Sequence, residues 1–157
     1  MVDLERGAIG QPEFEAQMAE LLGVPRTGLL RRIAADLKPE EPMLQACEKL
    51  RRHGIKLGVL SNSWGSEPFD PYEPWHLEEG FDAIVISHLV GLRKPDPRIF
   101  DLAAQRLDLR PEECVYIDDI ALYLEPAREM GMRVVHHTDA ALTIRELEII
   151  FSVPLPL

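Results

Sequence analysis

Short apolar runs alternate along the chain with longer amphipathic stretches. IKLGVL (55–60), FDAIVIS (81–87), CVYI (114–117) and RVVHH (133–137) are strand-sized and rich in Val, Ile and Leu. Between them the apolar residues recur three and four apart. In PRIFDLAAQRL (97–107), Ile99, Phe100, Ala103 and Leu107 share one helical face. Pro42 opens a helix through Arg52 that Gly54 stops, and Leu122 to Met130 forms another closed by Gly131. A last helix runs from Ala140 to Phe151, capped by Asp139. Near-continuous apolar strands alternating with helices predict an α/β fold whose parallel sheet is covered on both faces.

The first 38 residues read differently. QPEFEAQMAELL (11–22) is helical, with Pro12 in the first turn, Phe14, Met18 and Leu21 or Leu22 on one face, and Gly23 after it. A second helix is predicted over Thr27 to Leu37. KPEEP (38–42) breaks the pattern, dividing a helical N-terminal piece, 1–38, from an α/β remainder, 39–157.

The length of 157 residues suits one compact domain with a substantial core. A net charge of −10 argues against non-specific nucleic-acid binding, which needs a basic footprint. No apolar stretch is long enough for a membrane span, and the acidic start MVDLERGAIGQPEFE has no signal-peptide core. Cys47 and Cys114 lie in apolar periodic segments and are expected to be buried free thiols, as in a reducing cytoplasm. An anionic substrate would need local cations or a metal here.

The candidate chemistry sits at strand ends. The run 55–60 leads into Ser61-Asn62-Ser63, 81–87 leads to GLRKPDP with Lys94, and 114–117 ends on Asp118-Asp119. In a covered parallel sheet, ligands bind outside the carboxyl ends of the strands, so these groups are expected to share one crevice. Two adjacent carboxylates repel each other, so a plain folding argument does not place them at the end of a buried strand.

These stretches resemble the haloacid dehalogenase-like (HAD) hydrolase superfamily, in particular the branch with the N-terminal phosphatase domain of soluble epoxide hydrolase. LGVLSNSW resembles its second motif, GLRKPDPRIF its third and CVYIDDI its fourth, with DDIALYLEPAREMGM continuing the branch's pattern. LERGAIGQPEFE resembles the later part of the inserted helical cap, so the likeness spans roughly residues 4–150. The resemblance implies a Rossmann-like core with a partial cap at residues 1–38. It implies Mg2+ at the aspartate pair, with Asp119 the direct ligand and Asp118 its close partner. Ser61, with the backbone N–H of Asn62, would hold phosphoryl oxygens. Lys94 would both bind phosphate and supply positive charge to the transition state, making Lys94 and Asp118 the catalytic pair present in the chain. A double aspartate favours a phosphohydrolase over the metal-free dehalogenases, with a small phosphorylated molecule as substrate.

Two departures qualify that expectation. The family's nucleophile is an aspartate in a DxD motif at the end of the first core strand, followed two residues later by the general acid/base. This sequence contains no such motif: Asp3 has no apolar strand before it and Glu5 rather than an aspartate two residues on, and Asp36 has no acid two residues on. The resemblance therefore implies an N-terminally incomplete, truncated unit that lacks its first core strand and forms no aspartyl-phosphate alone. The strands that would flank the missing one must pair with each other, recruit a strand from a partner copy as a homo-oligomer, or fold marginally. Tyr123 also stands where the branch has an Asn that orients the lysine. Two functions stay open: a Mg2+-dependent phosphohydrolase, or an inactive pseudoenzyme that binds phosphate, metal or a partner. The long loop 61–80, with Trp64, Phe69, Tyr72 and Trp75, either seals the sheet edge or forms an apolar wall for a substrate or partner. His136 and His137, with no acid or cysteine at ligand spacing, are read as structural.

Overall fold

Each apolar run becomes a four-residue strand in the computed structural model of the chain, which describes residues 1–155: β1 (Gly58–Ser61), β2 (Ala83–Ile86), β3 (Val115–Asp118) and β4 (Arg133–His136). The strands are shorter than the runs because flanking residues turn to other partners. Leu57, ahead of β1, donates its N–H to Asp82 Oδ2 at 2.8 Å, and Ser87 begins a short helix. The helices, in chain order, are α1 (Val2–Glu5), α2 (Gln11–Leu22), α3 (Leu29–Ile33), α4 (Glu41–Arg52), α5 (Leu77–Gly80), α6 (Ser87–Val90), α7 (Pro97–Arg106), α8 (Leu124–Glu129) and α9 (Ala140–Phe151). Asp139 caps α9 by accepting the Leu142 N–H at 3.1 Å, as its position predicted. The helix expected over Thr27 to Leu37 shrinks to α3. Gly28 is left-handed before it, and after Ala34 the chain turns outward with no apolar face to bury.

All pairing is parallel, but it stops at two strands. β1 pairs with β2 (Leu60 opposite Val85), and β3 pairs with β4 (Ile117 opposite Val135). Among the described residues no main-chain hydrogen bond joins β1 to β3. The direct closure that would replace a missing central strand does not form. A cavity of about 440 Å³ lies between the two half-sheets instead.

Helices straddling both half-sheets hold them in one body. On one face, Ala46 and Leu50 of α4 and Ile144 and Leu147 of α9 pack over Leu57 beside β1 and over Val115 and Ile117 of β3. On the other, Ile99, Phe100 and Ala104 of α7 and Ala127 of α8 bury Val85, Leu60, Tyr116 and Val134, which come from all four strands. Cys47 and Cys114 are free, but they are only half-buried. The expectation of burial is corrected for a simple reason: both border the cavity.

Residues 1–38 form a third cluster, in which Leu4, Phe14 and Leu30 pack on Trp64 of the loop after β1. Gln11 is buried there. Its Nε2 donates to the carbonyls of Gly65 (2.5 Å) and Phe69 (2.8 Å), and its Oε1 accepts the Phe69 N–H at 3.1 Å. Arg93 reaches back to Glu5 at 2.7 Å. The aromatic loop thus divides its work: Trp64 and Phe69 join the helical layer, while Tyr72 stacks edge-on against Trp75. Among the described residues no helix is long and apolar enough to cross a membrane.

Candidate active site

Asn62, the second residue past the leucine that ends the apolar part of β1, sets the site's geometry. Its carboxamide imitates a strand partner: Oδ1 accepts the Lys94 N–H at 2.8 Å, and Nδ2 donates to the Lys94 carbonyl at 3.0 Å. These two bonds fasten the loop after β2 to the end of β1. The Lys94 side chain is then drawn inward, leaving the residue only 7% exposed. Its Nζ donates to the Leu60 carbonyl at 3.2 Å and to Asp118 Oδ2 at 2.6 Å. Beside it lie the rings of Tyr123 (5.0 Å to the centroid) and Tyr116 (5.9 Å).

Asp118 is the other pole, 8% exposed at the end of β3. Its Oδ2 also accepts the Tyr116 hydroxyl, and its Oδ1 accepts the Ile120 N–H at 2.8 Å. Burial alone pushes this carboxyl upward. The hydrogen bonds from Lys94, Tyr116 and Ile120 outweigh it and hold the group below the usual carboxylate range. The Tyr116 hydroxyl is pushed well above its ordinary value by burial and by the carboxylate it serves, so it remains a donor. This ion pair spans the two half-sheets, from Leu60 of β1 and the loop after β2 to Asp118 of β3, and the bond from Asn62 to the Tyr123 hydroxyl crosses beside it.

Asp119 differs from its neighbour in every respect. It is exposed, and among the described residues its carboxylate takes part in no hydrogen bond or ion pair. With Asp118, Ile117, Met43, Glu40 and His137 it lines a shallow concavity of about 300 Å³. His136 Nε2 donates to the Asp119 carbonyl at 3.0 Å, while His137 bridges Glu40 Oε2 (3.0 Å) and Thr143 Oγ1 (2.9 Å). Both imidazoles therefore have architectural partners. Among the described residues no three His, Cys, Asp or Glu side chains converge on a metal-sized point.

The structure brings Asn62, Lys94 and Asp118 into one network. Ser61 follows Leu60 on the same strand, and its hydroxyl lies 2.6 Å from the Tyr72 hydroxyl rather than against Lys94. Sequence reasoning assigned Asn62 only its N–H and missed the clamp its carboxamide makes. It also missed Tyr116, which the i, i+2 spacing in YID places on the Asp118 side of β3. The Tyr123 hydroxyl accepts from Asn62 Nδ2 at 3.3 Å, and its ring flanks the Lys94 ammonium.

The sequence profile of the haloacid dehalogenase-like hydrolases matches residues 16–137, most of the chain. The chain belongs to this family. It is 34% identical over 128 residues to bifunctional epoxide hydrolase 2 of Sus scrofa, covering 77% of the chain and 22% of that protein. The chain thus spans about a fifth of that relative's length. It is 27% identical over 147 residues to a sesquiterpene phosphatase of Aspergillus oryzae, covering 91% of the chain and 74% of the relative. The fold matches the crystal structure of a HAD family enzyme from Bacteroides thetaiotaomicron in complex with magnesium. The TM-score is 0.70 at 21% identity, over 87% of this chain and 73% of that one.

Proposed function

We propose that this HAD-family chain carries the phosphate- and metal-holding half of a Mg2+-dependent phosphohydrolase acting on a small phosphate monoester. The observation that carries the reading is the buried Lys94–Asp118 pair, fixed by Asn62, with the free Asp119 carboxylate one residue away. The sesquiterpene phosphatase and the magnesium-bound relative support it at the level of chemical class.

In this reading Ser61 Oγ and the Asn62 N–H receive phosphoryl oxygens, joined by the Tyr72 hydroxyl beside Ser61. Lys94 supplies fixed positive charge where the transition state spreads negative charge, and Asp118 holds that ammonium in place. The donor set fits Mg2+, a hard cation that takes one or two carboxylates and fills its shell with water and phosphate oxygens. Asp119 would hold it, with Asp118 behind. When bound, the ion neutralises charge on the phosphoryl oxygens. Residues 1–38 act as a cap remnant over 39–157, the core.

Phosphoryl transfer also needs a nucleophile. By family resemblance that is an aspartate on a strand absent from this sequence, which would take the phosphoryl group from the ester oxygen and pass it to water. The chain alone is therefore expected to hydrolyse no aryl phosphate with Mg2+. Fused upstream to a strand ending in an Asp-x-Asp motif, it should turn over, and Asp119→Asn should abolish that turnover. Hydrolysis by the unextended chain, lost in Asp119→Asn, would overturn the assignment of the missing group. No turnover in the extended chain favours the second reading, a non-catalytic module that binds phosphate, metal or a partner. The self-satisfied hydrogen bonding of Lys94 and Asp118 fits that reading too.

A further inference from the structure

We infer that Tyr72 and Trp75 form the subsite for the organic part of the ester. That subsite takes a flat group with no negative charge of its own, as in an aryl phosphate monoester. Such a subsite rests on the phosphohydrolase reading and narrows it to a substrate class. Position is the first ground. The hydroxyls of Tyr72 and Ser61 lie 2.6 Å apart, and Ser61 directly follows Leu60, whose carbonyl accepts from Lys94 Nζ at 3.2 Å. Two hydroxyls carry two hydrogens, and the bond between them uses one. The other is free for an acceptor such as a phosphoryl oxygen. With its hydroxyl at Ser61, the Tyr72 ring stands next to a phosphoryl group bound there, and Trp75 continues the wall.

The second ground is that these two rings are not consumed by packing. The loop 61–80 is rooted elsewhere: Trp64 is buried against the helical layer, and Gln11 bonds both main-chain groups of Phe69. Tyr72 and Trp75 stay half-buried, with ring area left open. They are nevertheless held in place. Asp70 Oδ1 accepts the Tyr72 N–H at 2.8 Å, and the Trp75 N–H donates to the Tyr72 carbonyl at 2.9 Å. The rings meet edge-on, 5.8 Å between centroids at 66°. Pro71 and Pro74 restrict the backbone around them. A fixed aromatic pair stacks a flat ring with little freedom left to lose on binding.

Charge narrows the class further. From Leu57 to Leu92 the sequence carries Glu67, Asp70, Glu73, Glu78, Glu79 and Asp82 and no Lys or Arg. The cations that bound this stretch are committed: Lys56 to the Leu107 carbonyl (2.7 Å), Arg93 to Glu5 (2.7 Å) and Lys94 to Asp118 (2.6 Å). An organic part bearing a carboxylate or a second phosphate would meet like charge along this loop. A flat apolar ring meets none of that cost.

The test is equilibrium binding to the full chain with Mg2+, followed by NMR at the Asn62 amide. The probes are inorganic phosphate, phenyl phosphate, cyclohexyl phosphate and para-carboxyphenyl phosphate. Phenyl phosphate should bind about fivefold tighter than inorganic phosphate. The puckered cyclohexyl ester and the anionic carboxyphenyl ester should lose that gain. Trp75→Leu should cancel the preference, and Trp75→Phe should restore most of it. Tyr72→Phe keeps the ring but removes the hydroxyl, so it should weaken every probe by the same factor, about tenfold. If Trp75→Leu fails to fold, phenyl against cyclohexyl phosphate on the unaltered chain decides. Ser61→Ala separates this subsite from the reading it rests on. Inorganic phosphate that does not bind, or binds Ser61→Ala equally well, removes the phosphate site and the subsite with it. Phosphate binding that needs Ser61, but with equal affinity for the phenyl and cyclohexyl esters or a preference that survives Trp75→Leu, would overturn the aromatic subsite alone. So would a carboxyphenyl ester that binds as tightly as the phenyl ester.

Discussion

The carboxyl end of the half-sheets and the cavity behind it are built from the same two strands and treat them in opposite ways. At the carboxyl end, Leu60 and Asp118 are joined through Lys94, and Asn62, Tyr116 and Tyr123 complete the surrounding network. A few residues back, Gly58 faces Val115 and Ile117 across a cavity with no main-chain bond between them. Side chains are long enough to span a gap that backbones cannot, so one ion pair does what a strand would otherwise do. A buried ion pair is weak evidence for stability in general, because desolvation offsets its attraction. Here it also adds a polar tie between two half-sheets that the helices on either face hold together.

The largest break in this contrast should come from Lys94→Met, which leaves the Asp118 carboxylate buried without its cation. A loss of about 3–5 kcal/mol is expected in urea unfolding near neutral pH. A loss below about 1 kcal/mol would mean the helices alone hold the half-sheets together. The pair also predicts a sign with pH. The folded Asp118 carboxyl lies below its ordinary value, so its contribution is complete above the unfolded value of about 3.9. That contribution is lost as pH falls through the lower folded value. Stability should rise with pH in that acidic window, and Asp118→Asn should flatten the rise; an unchanged slope would remove Asp118 as its source.

Tyr116→Phe deletes one donor to a charged acceptor and should cost about 1.5–3 kcal/mol, measured as a shift in urea midpoint. The cavity should answer with the opposite sign. Ala103 borders the cavity, and Ala103→Val adds carbon to space already empty, where it should stabilise by about 1 kcal/mol in thermal unfolding. Overpacking there, with a lowered melting temperature, would show that the cavity is narrower than its walls suggest. The smallest effect is expected from Tyr123→Phe, which keeps the ring beside Lys94 and loses a single 3.3 Å bond from Asn62. It should cost about 0.5 kcal/mol by the same unfolding assay.

Much of this arrangement was legible before any coordinates. Apolar runs alternating with helices located the strands, and the rule that ligands lie past the carboxyl ends brought Lys94 and Asp118 together. Whether the strands flanking the family's first strand would pair with each other was left open by the sequence, and the structure leaves β1 and β3 unpaired. The clamp between Asn62 and Lys94 was not legible, because it joins a side chain to main-chain atoms 32 positions away and leaves no periodic trace. Nor was the asymmetry between Asp118 and Asp119: adjacent strand-end residues point to different sides, but which one faces Lys94 depends on how far β3 extends. The exposure of Cys47 and Cys114 depended on a void, and a sequence pattern describes neighbours rather than empty space.

Gln11 has a further consequence, in the order of assembly. Its bonds to Gly65 and Phe69 link positions 54 and 58 residues apart, and the loop they anchor is the one that delivers Tyr72 to Ser61. During synthesis the helix bearing Gln11 emerges early and must wait, its amide unmatched, until the loop after β1 has left the ribosome. Contacts that distant close slowly. The end of the molecule that carries Ser61 is therefore completed only when that loop emerges, and a pause in translation before Phe69 would hold it open.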